Sequence, residues 1–285
     1  MPATLAPAEI ATPTCRVRPR WQRGLLCWGS FLIGPFGWFA PARFTCRLER
    51  ARLEQGLVII LPGIEGRSFF NLAILHGLLD TGAPYAMEII DWTTGNKFLT
   101  LYHLRAWRRN RKIAQQLAAR IVDYQREYPG RPVWIVGHSG GGGMALLTAA
   151  ALPDGHRLTG LILLAAAVSP RFDLEPALRK VERGIWSFHS WLDCLFVGIG
   201  TTLAGTLDGW HLPSAGMIGF WRTSTRENGG TPNDAGPVFV QTRYHPRMMK
   251  NFHLGGHFGC AHRVFISEFL GPILNSADVS TSATR

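Results

Sequence analysis

One stretch constrains this chain more than any other: Pro132-Val133-Trp134-Ile135-Val136-Gly137-His138-Ser139-Gly140-Gly141-Gly142-Gly143-Met144. Apolar, β-prone residues lead into Gly137-His138-Ser139-Gly140-Gly141, and a helix-compatible run over 144–152 follows. A strand, a sharp turn carrying a serine, and a helix are the physical content of the G-x-S-x-G pattern. Side chains at Gly137 and Gly141 would collide across so tight a turn. The serine oxygen is then presented at a helix N-terminus, where unpaired N–H groups face an anion. The five-residue pattern alone is short. The strand before it and the helix after it make Ser139 a candidate nucleophile.

The rest of the chain repeats the strand–helix alternation. A continuous apolar run over 57–61, bounded by Gly56 and Gly63, predicts a buried parallel strand. Further strands are predicted over 85–90, 158–168 and 184–190, with a short edge strand over 238–244. Helices are predicted over 69–81, 104–124 and 260–270. The second is the clearest, because Trp107, Ala114, Leu117, Ala118, Ile121 and Val122 recur at helical spacing. Such alternation implies an α/β class, with a mostly parallel central sheet and helices on both faces. Loops at the carboxyl ends of the strands then hold the site. The 285 residues suit one such domain over 47–274, a leader over 1–46 and a polar tail over 275–285.

Formal net charge is +11, a balance that points to nucleic acid or an anionic surface. No nucleic-acid reader motif is present, so nucleic acid is set aside. Arg105, Arg108, Arg109, Arg111 and Lys112 crowd one helix and read as a solvated face that suits contact with anionic lipid. Arg16, Arg18, Arg20 and Arg23 precede an apolar run over 24–42 that ends in Ala40-Pro41-Ala42, an A-x-A cleavage-site pattern. That is the layout of a signal peptide or membrane anchor, and it places the protein in the cell envelope, exported or membrane-associated. Gly34-Pro35-Phe36-Gly37 interrupts the run, and an apolar arm packed on a cytoplasmic domain is the alternative. Cys46 follows Ala42-Arg43-Phe44-Thr45, a poor signal for lipid attachment. The five cysteines match neither a zinc site nor a disulfide-rich scaffold, although Cys194 and Cys260 flank candidate site residues.

A serine hydroxyl needs a base to remove its proton, and imidazole is suited to that. A carboxylate behind the imidazole fixes its tautomer and stabilises the charged form. His257, in Gly255-Gly256-His257-Phe258-Gly259, is the chosen base; His253 and His262 are the alternatives. Asp193, just past the strand over 184–190, is the chosen acid, with Asp208 and Asp234 as alternatives. The oxyanion needs two convergent N–H groups. Gly140 supplies one and Ile64, directly after Pro62-Gly63, the other. Glu65 either tunes this site or pairs with Arg67 or a lysine.

From about residue 56 to 270 the chain resembles the α/β-hydrolase family, and in particular a group of bacterial envelope-associated α/β-hydrolases of undefined substrate. The matching residues are Leu61-Pro62-Gly63-Ile64-Glu65-Gly66-Arg67-Ser68, Asp91-Trp92-Thr93-Thr94-Gly95-Asn96, Gly137-His138-Ser139-Gly140-Gly141-Gly142 and Gly205-Thr206-Leu207-Asp208-Gly209. The resemblance implies Ser139 as nucleophile, Asp193 as acid, His257 as base, and Ile64 and Gly140 at the oxyanion positions. Pro62-Gly63 stands where the family often has His-Gly, which leaves the backbone role intact. It implies a serine hydrolase that cleaves a small acyl ester or lipid through an acyl-enzyme, with no metal or organic cofactor. An acyltransferase on the same machinery and a non-catalytic binding protein are the alternatives. Oligomeric state has no sequence signal.

Overall fold

A run of apolar residues with no polar partner face cannot line a surface, and here such runs become inner strands. The computed structural model describes residues 18–32, 46–221 and 236–276. The leader up to residue 17, the cleavage site expected at Ala40-Pro41-Ala42, the alternative acid Asp234 and the tail from 277 lie outside the described residues. Seven strands form one sheet: β1 (Cys46–Arg47), β2 (Leu57–Leu61), β3 (Ala86–Ile89), β4 (Val133–His138), β5 (Leu158–Leu164), β6 (Val181–His189) and β7 (Val238–Arg243). Their order is β1-β3-β2-β4-β5-β6-β7. Every neighbouring pair is parallel except β1 with β3. Every residue of β2, β4 and β5 is buried.

Five longer helices cover the sheet: α1 (Arg20–Leu32), α2 (Phe69–Leu79), α3 (Trp107–Glu127), α4 (Gly140–Ala150) and α5 (Arg263–Asn275). Successive strand residues point to opposite faces, so β2 divides itself between two cores. Leu57, Ile59 and Leu61 join Leu117 and Ile121 of α3 and Leu146 of α4. Val58 and Ile60 join Ile74 of α2, Phe265 of α5 and Phe31 of α1. Helices on both faces of a mostly parallel sheet are the architecture that the alternation predicts.

Two helix limits differ from the sequence expectation. The helix predicted over 104–124 is broken at Ala106 (φ −76°, ψ 57°), which leaves a separate short helix, Thr100–Arg105. The Asn110 side chain donates to the freed His103 carbonyl at 2.7 Å, so the break costs no buried acceptor. The last helix begins at Arg263, because the His262 ring accepts the Val264 N–H at 3.2 Å and caps it.

The envelope location expected from the N-terminal run is overturned. None of the described helices is long and apolar enough to cross a membrane. The first part of the run forms α1, which turns its buried residues Gly24, Cys27 and Phe31 to the domain. Phe31 meets Phe70 edge-on with ring centroids 4.8 Å apart, and His262 donates to the Gly24 carbonyl at 3.1 Å. Arg23 of α1 and Arg263 of α5 both bind Asp80 at 2.7 Å. Cys46, weighed for lipid attachment, lies in β1 opposite Glu88. Cys27, Cys46, Cys194 and Cys260 are all free thiols, so Cys194 and Cys260 are not joined.

Candidate active site

β4 delivers the chain to Ser139, which adopts φ 54° and ψ −120°. A non-glycine residue at positive φ is costly and persists only where its surroundings hold it. Here the Ser139 N–H donates to Leu164 at 2.8 Å, and its carbonyl accepts from Gly142 and Ala167 at 3.0 Å each. A Cβ on Gly137 would overlap the Gly141 carbonyl, and one on Gly141 would overlap the Leu61 carbonyl. The turn therefore requires glycine at both positions, and α4 starts at Gly140 directly behind the serine.

Asp193 follows β6 and is buried; its N–H bonds the Ser190 carbonyl at 3.0 Å. His257 sits in the short turn of helix Gly256–Gly259, which Gly255 (φ 79°) and Gly256 (φ 66°) allow to fold back toward β6. The His257 Nδ1–H donates to Asp193 Oδ2 at 2.6 Å. That bond leaves Nε2 as the nitrogen that can accept a proton. The Phe196 ring stacks on the His257 imidazole at 5.0 Å. Ser139 and His257 line the same pocket, although no hydrogen bond joins them among the described residues. Catalytic hydrogen bonds are often long before substrate arrives.

The alternative residues go elsewhere. Asp208 accepts from the Ser169 N–H at 2.8 Å and from its hydroxyl, tying down a loop. His253 accepts the Gly255 N–H at 3.0 Å, and His262 caps α5. The turn after β2 brings Ile64 to the serine: a Cβ added to Gly140 would lie 3.5 Å from the Ile64 nitrogen.

Three supporting residues had no role in the sequence reading. The His103 ring accepts the Thr94 N–H on Nε2 at 3.1 Å, so Nδ1 carries the proton and donates to the Ile64 carbonyl at 3.0 Å. Trp92 donates to the Pro62 carbonyl at 2.7 Å. Together they hold the Pro62–Ile64 turn from behind. The signal was the Asp91-Trp92-Thr93-Thr94-Gly95-Asn96 segment, which stands out in the sequence without an assigned task. His138 is the third. Its Nε2–H donates to the His257 carbonyl at 3.1 Å, linking the serine turn to the histidine loop. Burial, and then the nearby His257 imidazole, pull His138 down to about 3, so it stays neutral.

A family model described as serine aminopeptidase, S33, matches residues 103–204 of the 285, the segment that contains the serine turn and Asp193. The sheet order and the serine turn are those of the α/β-hydrolase fold. No curated protein matches it. Among solved structures, this chain is similar to Est1E from Butyrivibrio proteoclasticus, with 14% identity, coverage of 84% of this chain and 93% of that one, and a TM-score of 0.46. It is similar to esterase PE8 at 15% identity, over 81% and 93% of the two chains, with a TM-score of 0.40. It is also similar to the dienelactone hydrolase-like promiscuous phosphotriesterase P91 from metagenomic libraries, at 14% identity over 78% and 86%, with a TM-score of 0.42. Likeness at this level carries no information on substrate.

The pocket beside Ser139 holds about 410 Å³, enough for a small organic group. Its walls include Phe70, Leu101, Leu104, Phe196, Val197 and Phe258, with Ser139 and His257 set into them. Glu65 is the carboxyl on its lining. Burial raises the Glu65 pKa above the ordinary carboxylate range, against the pull of its own N–H, of His257, and of Asn71 and Ser68.

Proposed function

We propose that this chain transfers the acyl group of a carboxylic ester through Ser139, with water as the acceptor in the first reading. Ser139 Oγ attacks the carbonyl carbon while His257 Nε2 takes the hydroxyl proton. Asp193 holds the opposite imidazole nitrogen and stabilises the positive ring. The Ile64 and Gly140 N–H groups bind the oxygen on which negative charge develops. Collapse of the adduct breaks the ester C–O bond, and His257 returns the proton to the departing alcohol. A water molecule then repeats the sequence on the acyl-serine and releases the carboxylic acid.

The observation that supports this most is the 2.6 Å bond from His257 to buried Asp193, made beside the pocket that Ser139 lines. A fluorophosphonate probe tests it: the wild type is expected to label and to hydrolyse short aryl esters, and Ser139→Ala to do neither. Absence of labelling together with absence of turnover on an ester panel would sink the reading, and would favour a binding protein.

A second reading, transfer to an alcohol, draws support from the apolar pocket wall beside Ser139. An apolar wall disfavours water near the acyl-enzyme and lets an alcohol compete. Product analysis with and without added alcohol separates the two: a new ester marks transfer, and free acid alone marks hydrolysis.

A further inference from the structure

The turn after β2 runs from Gly63 to Gly66 and is closed by the Gly66 N–H, which donates to the Gly63 carbonyl at 3.1 Å. A turn of this kind makes no use of the N–H groups of its two central residues, here Ile64 and Glu65. In a largely buried turn each of them must be placed. The Glu65 N–H is taken by the residue's own carboxyl. That carboxyl curls back over the turn, so that Oε2 lies where a Cβ on Gly63 would be. Oε1 accepts from the Ser68 hydroxyl at 3.3 Å and from the Asn71 amide at 3.4 Å. Ser68 is the N-cap of α2, both donors are buried, and Asn71 also donates to the Gly66 carbonyl at 2.9 Å. Glu65 is half-buried as a residue, but its carboxyl is turned inward onto these donors. The Ile64 N–H, beside Gly140, has no hydrogen bond among the described residues.

We propose that Glu65 is a positioning residue, whose carboxyl fixes the 63–66 turn so that Ile64 presents the one N–H of the central pair still open to the oxyanion. The inference rests on the acyl-transfer reading above. The peptide between Ile64 and Glu65 is held at both ends: His103 binds its carbonyl at 3.0 Å, and the Glu65 carboxyl binds its N–H. Trp92 secures only the entry to the turn, at the Pro62 carbonyl. Without the carboxyl, the Glu65 N–H would seek another partner and the contact to the start of α2 through Oε1 would be lost. The donor at Ile64 would then wander, and a donor that must reorganise during the reaction stabilises the transition state less. Glu65 acts through Ile64 and needs no contact with substrate.

The test is steady-state kinetics on an aryl butanoate, with hydrogen exchange of the turn followed in parallel. Glu65→Leu is expected to lower kcat by about a hundredfold, the effect of losing one oxyanion donor, with KM within about twofold. Glu65→Gln keeps the shape but has a single acceptor oxygen for donors on two sides, and is expected about tenfold below the wild type in kcat. Amide exchange over residues 62–72 is expected to quicken by about tenfold or more in Glu65→Leu, while β4 stays as slow as in the wild type. A kcat for Glu65→Leu within about threefold of the wild type, or a raised KM with kcat unchanged, overturns the proposal even if the urea midpoint falls. Unchanged exchange over 62–72 overturns it too. Should Glu65→Leu not fold, Glu65→Gln decides, and a kcat equal to the wild type there overturns the role. Fluorophosphonate labelling of Ser139 with normal turnover by Glu65→Leu defeats this inference alone. A wild type that neither labels nor turns over any ester defeats the acyl-transfer reading, and this inference with it.

Discussion

At the residue scale, the site depends on which nitrogen of each histidine carries a proton. Asp193 holds the proton on His257 Nδ1 at 2.6 Å, which keeps Nε2 available to Ser139. Asp193→Asn would leave the shape intact and favour the wrong tautomer. A loss on the order of 10³–10⁴-fold in kcat is expected on an ester that the wild type cleaves. Steady-state rates check this, and a loss below tenfold would remove Asp193 from the proposed machinery. His103 works one step further back, through its 3.0 Å bond to the Ile64 carbonyl. His103→Phe should lower kcat by roughly tenfold with little change in KM, because the proposed oxyanion donor matters most once charge develops. A matching rise in KM with kcat unchanged would show that the ring serves substrate binding instead.

At the element scale, α1 is tied to the domain through ion pairs and one buried stripe. Asp80 at the end of α2 receives Arg23 from α1 and Arg263 from α5, and its side chain is only 5% exposed. Removing the shared carboxylate takes a common partner from two guanidinium groups, that of Arg23 only 13% exposed. Asp80→Ala should therefore cost about 3 kcal/mol or more of stability. Urea unfolding measures it, and limited proteolysis should show α1 released first; an unchanged midpoint would contradict the clamp. Phe31→Ala should cost about 3 kcal/mol by opening a cavity against Phe70 and Phe258. The sequence reading counted the apolar residues of this segment but not their helical spacing. Gly24, Cys27 and Phe31 recur on one stripe, which is the pattern of a helix that packs on one side.

At the scale of the whole molecule, buried neutral histidines couple folding to pH. Burial lowers His138 to about 3 and His189, His253 and His262 to about 4, from an ordinary value of 6.5. The unfolded chain takes up these protons near pH 6.5, and the folded chain does so only well below it. The stability they contribute is complete above about pH 6.5 and is lost as pH falls toward 4. The urea midpoint should accordingly drop between pH 7.5 and pH 5, and a flat midpoint over that interval would refute the assignment of these rings as neutral.

Local chemistry alone was enough to read the strand–serine–helix turn and the alternation that makes a parallel sheet. Each is carried by neighbours in sequence: glycine where no Cβ fits, apolar runs where both faces are covered, loops at strand ends. What the tertiary structure decided is which distant groups meet. Nothing near His103 in sequence says that its ring will reach the Ile64 carbonyl, or near His138 that it will bond the loop of His257. The packing of residues 24–32 also lay beyond local reading, because an apolar stripe is satisfied equally by lipid or by protein. Only the packed surfaces of α2 and α5 determine that α1 finds its partner within the chain.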